Sequence, residues 1–142
     1  MDYSIAWNAN STEDVTVTVR GRVTVEELDS WVQEVIGDSR YRPGLRVLVD
    51  HRLSSWNHLT AADIRHRAEQ IARDAPRVGN NGHRVAWVAG SRVDYGLGRM
   101  LDAYGESRRG YDFGVFNDVD AARAWLTGGE HANTFSSTGS EF

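Results

Sequence analysis

The run LRVLVD at residues 45–50 has the length and composition of a strand buried in the centre of a parallel sheet. The turn dipeptide Pro43-Gly44 precedes this run, and Asp50 is predicted to end it. The run VAWV at residues 85–88 has the same apolar character, and a pattern typical of a helix lies between the two. Buried strands that alternate with helices predict an α/β fold.

The segments around these two strands complete the predicted fold. Residues 15–19, VTVTV, alternate as a half-buried strand does, and residues 5–7 are its candidate hairpin partner. We predict a mixed, mostly parallel sheet flanked by helices, in the order ββαβαβαβα, with one domain over residues 1–126. Residues 127–142, rich in Gly, Ser and Thr, are predicted to form a flexible tail. The helices are predicted to begin at Thr24, Thr60 and Asp118 and to end at Gly37, Pro76 and Gly105.

The composition limits the classes of protein to consider. The chain of 142 residues contains no cysteine, so disulfides and thiolate metal sites are excluded, and a cytoplasmic location is expected. No apolar stretch approaches the ~20 residues that span a bilayer, and the first residues lack the features of a secretory signal.

The charge is unevenly distributed along the chain. The net charge is −4, but residues 39–109 carry 13 arginines and 7 acidic residues. This basic middle segment could meet an anionic partner. In the alternative interpretation its arginines lie on solvated helix faces and pair with Asp63, Glu69, Asp74 and Asp102.

Several segments carry a family likeness when taken in order. They are LRVLVD at 45–50, RVAWV at 84–88, YGLGRM at 95–100, VFND at 115–118 and AARAWL at 121–126. Together, over about residues 3–126, the chain resembles the SpoIIAA-like proteins of the STAS superfamily. The resemblance implies a STAS-like sheet flanked by helices. Because this branch is also similar to the Sec14 class of lipid-binding proteins, it implies an amphiphile or a membrane surface as a ligand.

The resemblance also bears on phosphorylation. Superfamily members that antagonise anti-sigma factors carry a phosphorylatable serine in an Asp-Ser-x-Gly-like turn, at the start of the helix after the central strand. Here Ser54 and Ser55 lie near that place and are the candidate phosphorylation sites, although the Asp-Ser-x-Gly pattern is absent.

The residues that could carry chemistry do not form a convincing active site. The spacing of His51, His58 and His66 does not indicate a metal site. His51 and Ser54 could be a base and a nucleophile, but no third group or oxyanion donor is indicated. We therefore expect no metal, no cofactor and no enzymatic activity.

Glycines and tryptophans offer two further candidate sites. Gly96 and Gly98 follow a strand and are predicted to open a helix, where amide groups could bind an anion; the alternative is that they allow close packing on the sheet. Trp56 is predicted to lie in a polar loop, either as an exposed contact or as an anchor of the loop. By contrast, Trp31, Trp87 and Trp125 are predicted to lie in the core.

These observations lead to two functional hypotheses. Ligands of open α/β sheets bind beyond the carboxyl ends of the strands, where the loops 50–59 and 89–95 are expected to lie side by side. The first hypothesis is a non-enzymatic STAS-type module that engages a regulatory protein through the loop and helix after the central strand. The second is a small lipid- or amphiphile-binding domain that associates with membrane surfaces. The candidate binding residues are Asp50, Arg52, Ser54, Ser55, Trp56, His58, Arg92, Tyr95, Gly96 and Arg99.

Two further expectations concern partners. An acidic chain without a known nucleic-acid-binding module is not expected to bind nucleic acid. A homodimer is possible if the strand at 15–19 lies at an edge of the sheet, where its unpaired backbone groups could meet a second copy.

Overall fold

The computed structural model describes residues 1–79 and 82–128. Five strands form one sheet in the spatial order β1-β2-β3-β4-β5, in which only the pair β1–β2 is antiparallel. The order ββαβαβαβα is therefore confirmed. The elements are β1 (Asp2–Trp7), β2 (Val15–Arg22), α1 (Val25–Gly37), β3 (Arg46–Ser55), α2 (Ala61–Val78), β4 (Arg84–Ala89), α3 (Arg92–Arg109), β5 (Asp112–Phe116) and α4 (Val119–Leu126).

The helices are divided unequally between the two faces of the sheet. The side chains of Val47 and Val49 point to the face that α1, α2 and α3 cover, whereas Leu48 between them belongs to a separate cluster with Trp125 of α4. This alternation follows from the period of two in a strand. Helix α2 packs mainly against α1 and α3 and has few contacts with the sheet itself.

The predicted helix starts are confirmed by their capping interactions. The hydroxyl of Thr24 accepts a hydrogen bond from the backbone N–H of Glu27 at 3.2 Å, and Thr60 and Asp63 form a reciprocal capping box. Asp118 caps α4 in the same way. Side-chain caps of this kind satisfy backbone donors that have no partner inside the helix.

Two predicted helix ends are wrong. Pro76 lies inside α2, which continues to Val78, because burial of Val78 offsets the hydrogen bond that proline cannot donate. Gly105 lies inside α3, where a Cβ atom would be 3.1 Å from Nη1 of Arg109. The absence of a side chain at position 105 makes room for that buried guanidinium, and the helix ends at Arg109.

Two predictions about strands are also wrong. The central strand does not end at Asp50 but continues to Ser55, and its last residues, Leu53 to Ser55, pair with β2 alone. The strand at 15–19 is not an edge strand, because β1 covers one side of it and β3 the other. Its backbone groups are therefore paired on both sides, and a homodimer cannot form by pairing with that strand.

Three further features concern the predicted core tryptophans, the C-terminal tail and the length of the helices. Trp31, Trp87 and Trp125 are buried, as predicted. Thr127 and Gly128 form a turn after α4, and the rest of the predicted tail lies outside the described residues. None of the helices within the described ranges is long and apolar enough to cross a membrane.

The two glycines of α3 have different environments. Helix α3 begins at Arg92, so Gly96 and Gly98 lie inside the helix and do not open it, and their amides are not free to bind an anion. A Cβ atom at Gly98 would approach Trp87 to 2.6 Å and Val115 to 3.0 Å, whereas nothing lies within 4 Å of one at Gly96. Close packing therefore explains Gly98 but not Gly96.

This difference gives a matched pair of substitutions. Gly98→Ala is expected to lower the free energy of unfolding by about 1–3 kcal/mol, because the new methyl group overlaps the Trp87 ring. Gly96→Ala is expected to raise it by roughly 0.5–1 kcal/mol, because alanine favours a helix and meets open space here. Urea unfolding of both variants measures the two changes. Equal effects of the two substitutions would contradict the packing of α3 on the sheet.

Candidate functional site

A cavity lies between the sheet and the layer of α1 and α2. It has a volume of about 70 Å³. We call it the inner cavity; its walls include Trp31 of α1, Val49 and His51 of β3, Arg67 of α2, Trp87 of β4 and Tyr111 before β5. It exists because α2 rests on its neighbouring helices rather than directly on the strands.

The inner cavity could hold a small ligand. A single water needs roughly 10–15 Å³ on a comparable measure, so the space corresponds to about five or six non-hydrogen atoms. Most of the wall is made of aliphatic and aromatic side chains. A mostly apolar cleft with a few polar groups is the usual form of a small-molecule site, although natural pockets for drug-sized ligands are larger.

Trp56 lies at the wall of this cavity and not in an exposed loop. Its side chain is 0% exposed and packs edge-to-face on Trp87, with ring centroids 5.1 Å apart. The backbone N–H of Trp56 donates to both carboxylate oxygens of Asp94 at 3.4 Å. Of the two alternatives predicted for Trp56, the exposed contact is wrong, whereas the anchor of the loop agrees with the packing of the indole in the core.

His51 joins Trp56 through a hydrogen bond that fixes the state of its ring. The Trp56 Nε1–H group donates to Nδ1 of His51 at 3.1 Å. An indole N–H can only donate, so Nδ1 is unprotonated and the ring proton lies on Nε2. Burial lowers the pKa of His51 to about 3, assisted by the positive charge of Arg67, so the ring is neutral at pH 7.

The pair of His51 and Ser54 has the distance of a base and a nucleophile but not the environment. Ser54 Oγ lies 2.8 Å from Nδ1 of His51 and 3.1 Å from the backbone carbonyl of the same residue. A histidine whose pKa is lowered this far is a weak base at neutral pH, and Nδ1 already accepts from Trp56. This arrangement is better suited to stabilising the fold than to activating the Ser54 hydroxyl as a nucleophile.

The carboxyl ends of the strands place the two predicted loops together. A Cβ atom at Gly90 would lie 2.4 Å from the backbone oxygen of Arg52, which shows how closely β3 and the start of α3 approach. Between Thr18 and Arg20 of β2 the register shifts, because two residues of β3 lie opposite one residue of β2. Such a bulge is common next to functional sites, where it redirects side chains.

Of the ten predicted site residues, only Trp56 lines the inner cavity. Asp50 accepts two side-chain hydrogen bonds from Arg52, at 2.9 and 2.8 Å. Burial opposes ionisation of Asp50, but these bonds outweigh it, so its pKa is lowered. The hydrogen bonds to Asp50 in turn raise the pKa of Arg52, and the charges of Asp118 and Asp120, on the α4 side, add to this effect.

The other predicted site residues make local contacts. Ser55 Oγ donates to Asn57 at 3.0 Å, and the ring of His58 lies 2.7 Å from the backbone carbonyl of Val23. Ser54 and Ser55 belong to β3 and not to the start of a helix. Arg92, Gly96 and Arg99 are exposed on α3, and the Arg99 guanidinium lies 6.0 Å from the ring centroid of the half-buried Tyr95.

Sequence reasoning missed the polar residues of the inner cavity. Arg67, Asp74, His83 and Tyr111 all line it, and three of the four are less than 5% exposed: Arg67, Asp74 and His83. A signal was present for Arg67, which lies three residues after Ile64 and four before Ile71, on the apolar stripe of α2. A charged residue on such a stripe is the pattern that indicates a buried polar site.

The comparisons with known proteins bear on the fold. No family model and no curated protein matches this sequence. Among solved structures, an uncharacterised protein of the DUF3478 family from Shewanella loihica, described as having a SpoIIAA-like fold, matches with a TM-score of 0.56. The two chains are 14% identical, and the match covers 87% of this chain and 93% of the other. The SpoIIAA-like fold that the resemblance implied is therefore confirmed.

Proposed function

We propose that this protein is a non-enzymatic binding module that holds a small apolar or amphiphilic ligand in the inner cavity. The observation that carries the proposal is the cavity itself, since well-packed cores contain few spaces larger than one water molecule. The ligand would enter between the sheet and the α1–α2 layer. This location places it below α2, away from the start of α3.

The proposal can be tested with a neutral probe of matching size. A ligand of about six non-hydrogen atoms that gains roughly 0.7 kcal/mol per atom binds with a Kd of about 1 mM. We use 1-pentanol, and we follow the intrinsic fluorescence, because Trp31, Trp56 and Trp87 line the cavity. Saturable quenching or a spectral shift with one site per chain is the expected result.

A cavity-filling variant locates the probe. Val49 is 1% exposed and faces the cavity from β3, so Val49→Phe is expected to weaken 1-pentanol binding at least about tenfold. Leu53→Phe places the same side chain at an exposed position on the same strand and serves as the control. Circular dichroism confirms that both variants fold. Absence of saturable binding to the wild type, or equal binding by Val49→Phe, would contradict the proposed function.

A protein partner is the second candidate function. Leu53 and Val93, 66% and 60% exposed, are large hydrophobic residues near the carboxyl ends of the strands. These exposed apolar side chains would form the hydrophobic contact with a protein partner that an exposed Trp56 would have formed. Photo-crosslinking from position 53 in cells tests this candidate, and a lack of any crosslinked protein counts against it.

A further inference from the structure

The wall of the inner cavity contains a buried cation with few partners. Arg67 is 4% exposed, and its Nη1 donates to Oε1 of Gln70 at 3.0 Å. Within residues 1–79 and 82–128, no carboxylate oxygen lies within the 4.0 Å of an ion pair with Arg67, and it makes no other hydrogen bond there. A guanidinium has five N–H donors, so most of its donor capacity is unused by these residues.

Arg67 keeps its charge in this environment. Burial lowers its pKa to about 10, while Tyr111, Asp29 and Asp74 act in the opposite direction. The guanidinium is therefore cationic at pH 7. Removing such a charge from water costs several kcal/mol unless an opposite charge and hydrogen bonds compensate for it.

Asp74 is an acidic residue on the same wall, but it is already engaged elsewhere. Its carboxylate accepts a hydrogen bond from Gln33 at 3.1 Å and forms ion pairs with Arg73 at 3.3 Å and Arg77 at 4.0 Å. Two exposed arginines thus share the charge of Asp74, and that carboxylate does not compensate Arg67 directly.

The neighbouring polar groups add donors and few acceptors. The proton of His51 lies on Nε2, because Nδ1 accepts from Trp56. The indole nitrogen of Trp31 is buried without a hydrogen-bond partner among the described residues, and the Arg67 guanidinium lies 6.0 Å from the Trp31 ring centroid. Tyr111 is a neutral phenol at pH 7, since burial raises its pKa to about 12. Such a set of groups favours an anion over a cation.

We propose that Arg67 binds the carboxylate of a small apolar monocarboxylate whose tail occupies the rest of the inner cavity; this inference rests on the proposed function. A planar guanidinium matches a carboxylate with two parallel hydrogen bonds. One negative charge balances one arginine, whereas a phosphate dianion would bring a second charge that this wall does not neutralise. The aliphatic and aromatic remainder of the wall contacts the tail.

The test compares acids with alcohols of the same tail at pH 7. Pentanoate is paired with 1-pentanol, and butanoate with 1-butanol, so that both pairs match the size of the inner cavity. Hydrogen bonds to a charged group predict that the preferred carboxylate binds about tenfold or more tightly than its alcohol. Arg67→Met is expected to remove this preference while alcohol binding persists. Arg65→Met, an exposed arginine on the same helix, is expected to keep it.

The outcomes separate the inference from the proposed function. If the wild type binds the alcohols but neither carboxylate more tightly, the inference is overturned and the proposed function stands. If it binds none of the four probes, both are overturned. The wild-type comparison needs no variant, so the inference stays testable even if Arg67→Met does not fold. In that case a change in the Arg67 side-chain ¹⁵N signals on adding the carboxylate supports it, and unchanged signals overturn it.

Discussion

Trp56→Ala is expected to lower the free energy of unfolding by about 3–5 kcal/mol, the range for truncating a fully buried aromatic residue. The side chain is 0% exposed and packs edge-to-face on both His51 and Trp87, with ring centroids 5.2 and 5.1 Å away. Its removal also leaves Nδ1 of His51 without the indole donor. Because natural domains are stable by only about 5–15 kcal/mol, this is a large fraction of the total.

Chemical denaturation followed by circular dichroism measures this loss. Trp56→Phe keeps an aromatic ring beside Trp87, so its loss of unfolding free energy should be smaller than that of Trp56→Ala. Some loss should remain, because phenylalanine cannot donate a hydrogen bond to His51. Leu53→Ala is the exposed control on the same strand and is expected to change stability by less than about 0.5 kcal/mol. A denaturation midpoint for Trp56→Ala equal to that of the wild type would show that Trp56 lies in solvent, as expected of an exposed contact.

The sequence predicted the strands and helices whose apolar pattern is regular. Residues 46–49 and 85–88 belong to adjacent parallel strands, and Trp87 and Trp125 lie in the core on opposite faces of the sheet. These predictions succeeded because burial of apolar side chains alone decides such elements. The central strand and α3, by contrast, end later than predicted, and both bury polar residues near the predicted end.

The end of β3 shows why. Residues 50–55, DHRLSS, have the composition of a loop, yet Asp50 and His51 are buried within the strand. Each has a partner that compensates for burial: Arg52 for Asp50, and the Trp56 indole for His51. Both partners are close in sequence, but the apolar pattern does not show that the strand continues through Arg52 or that the Trp56 side chain turns back into the core.

The candidate site was missed for the same reason. In the sequence, Arg67 was one of many arginines in the basic middle segment. These arginines were expected to pair with acidic residues on helix faces, and Arg73 and Arg77 do pair with Asp74. Only the position of Arg67 on the apolar stripe distinguishes it. Gly98 illustrates the opposite case, since its packing against Trp87 was among the alternatives that the sequence offered.

Acidification from pH 6.5 to about 4 is expected to lower the free energy of unfolding by several kcal/mol through His51 and His83. Burial lowers the pKa of His51 to about 3 and that of His83 to about 4. In the unfolded chain both take up a proton near pH 6.5. Between these pH values the unfolded chain binds more protons, so stability is fully present above about pH 6.5 and is lost as the pH falls. Each histidine contributes on the order of 3 kcal/mol over this interval.

Carboxyl groups change how the free energy of unfolding depends on pH, but they do not reverse the direction of that dependence. Burial raises the pKa of Asp94 and Asp102, which adds stability as the pH falls, but these shifts are smaller than those of the two histidines. The lowered pKa of Asp50 matters only at more acidic pH, near and below the ordinary aspartate value. The histidines therefore determine the slope between pH 4.5 and 6.5.

Urea unfolding at several pH values in this range tests the assignment to particular residues. His83 packs edge-to-face on Tyr111, with ring centroids 4.8 Å apart, so His83→Phe keeps the aromatic contact and removes the titrating group. Its slope of stability against pH should fall to about half of the wild-type slope, because His51 still contributes. His66 is exposed on α2, and His66→Gln should leave the slope unchanged. A His83→Phe variant with the full wild-type slope would show that His83 is not held neutral by burial.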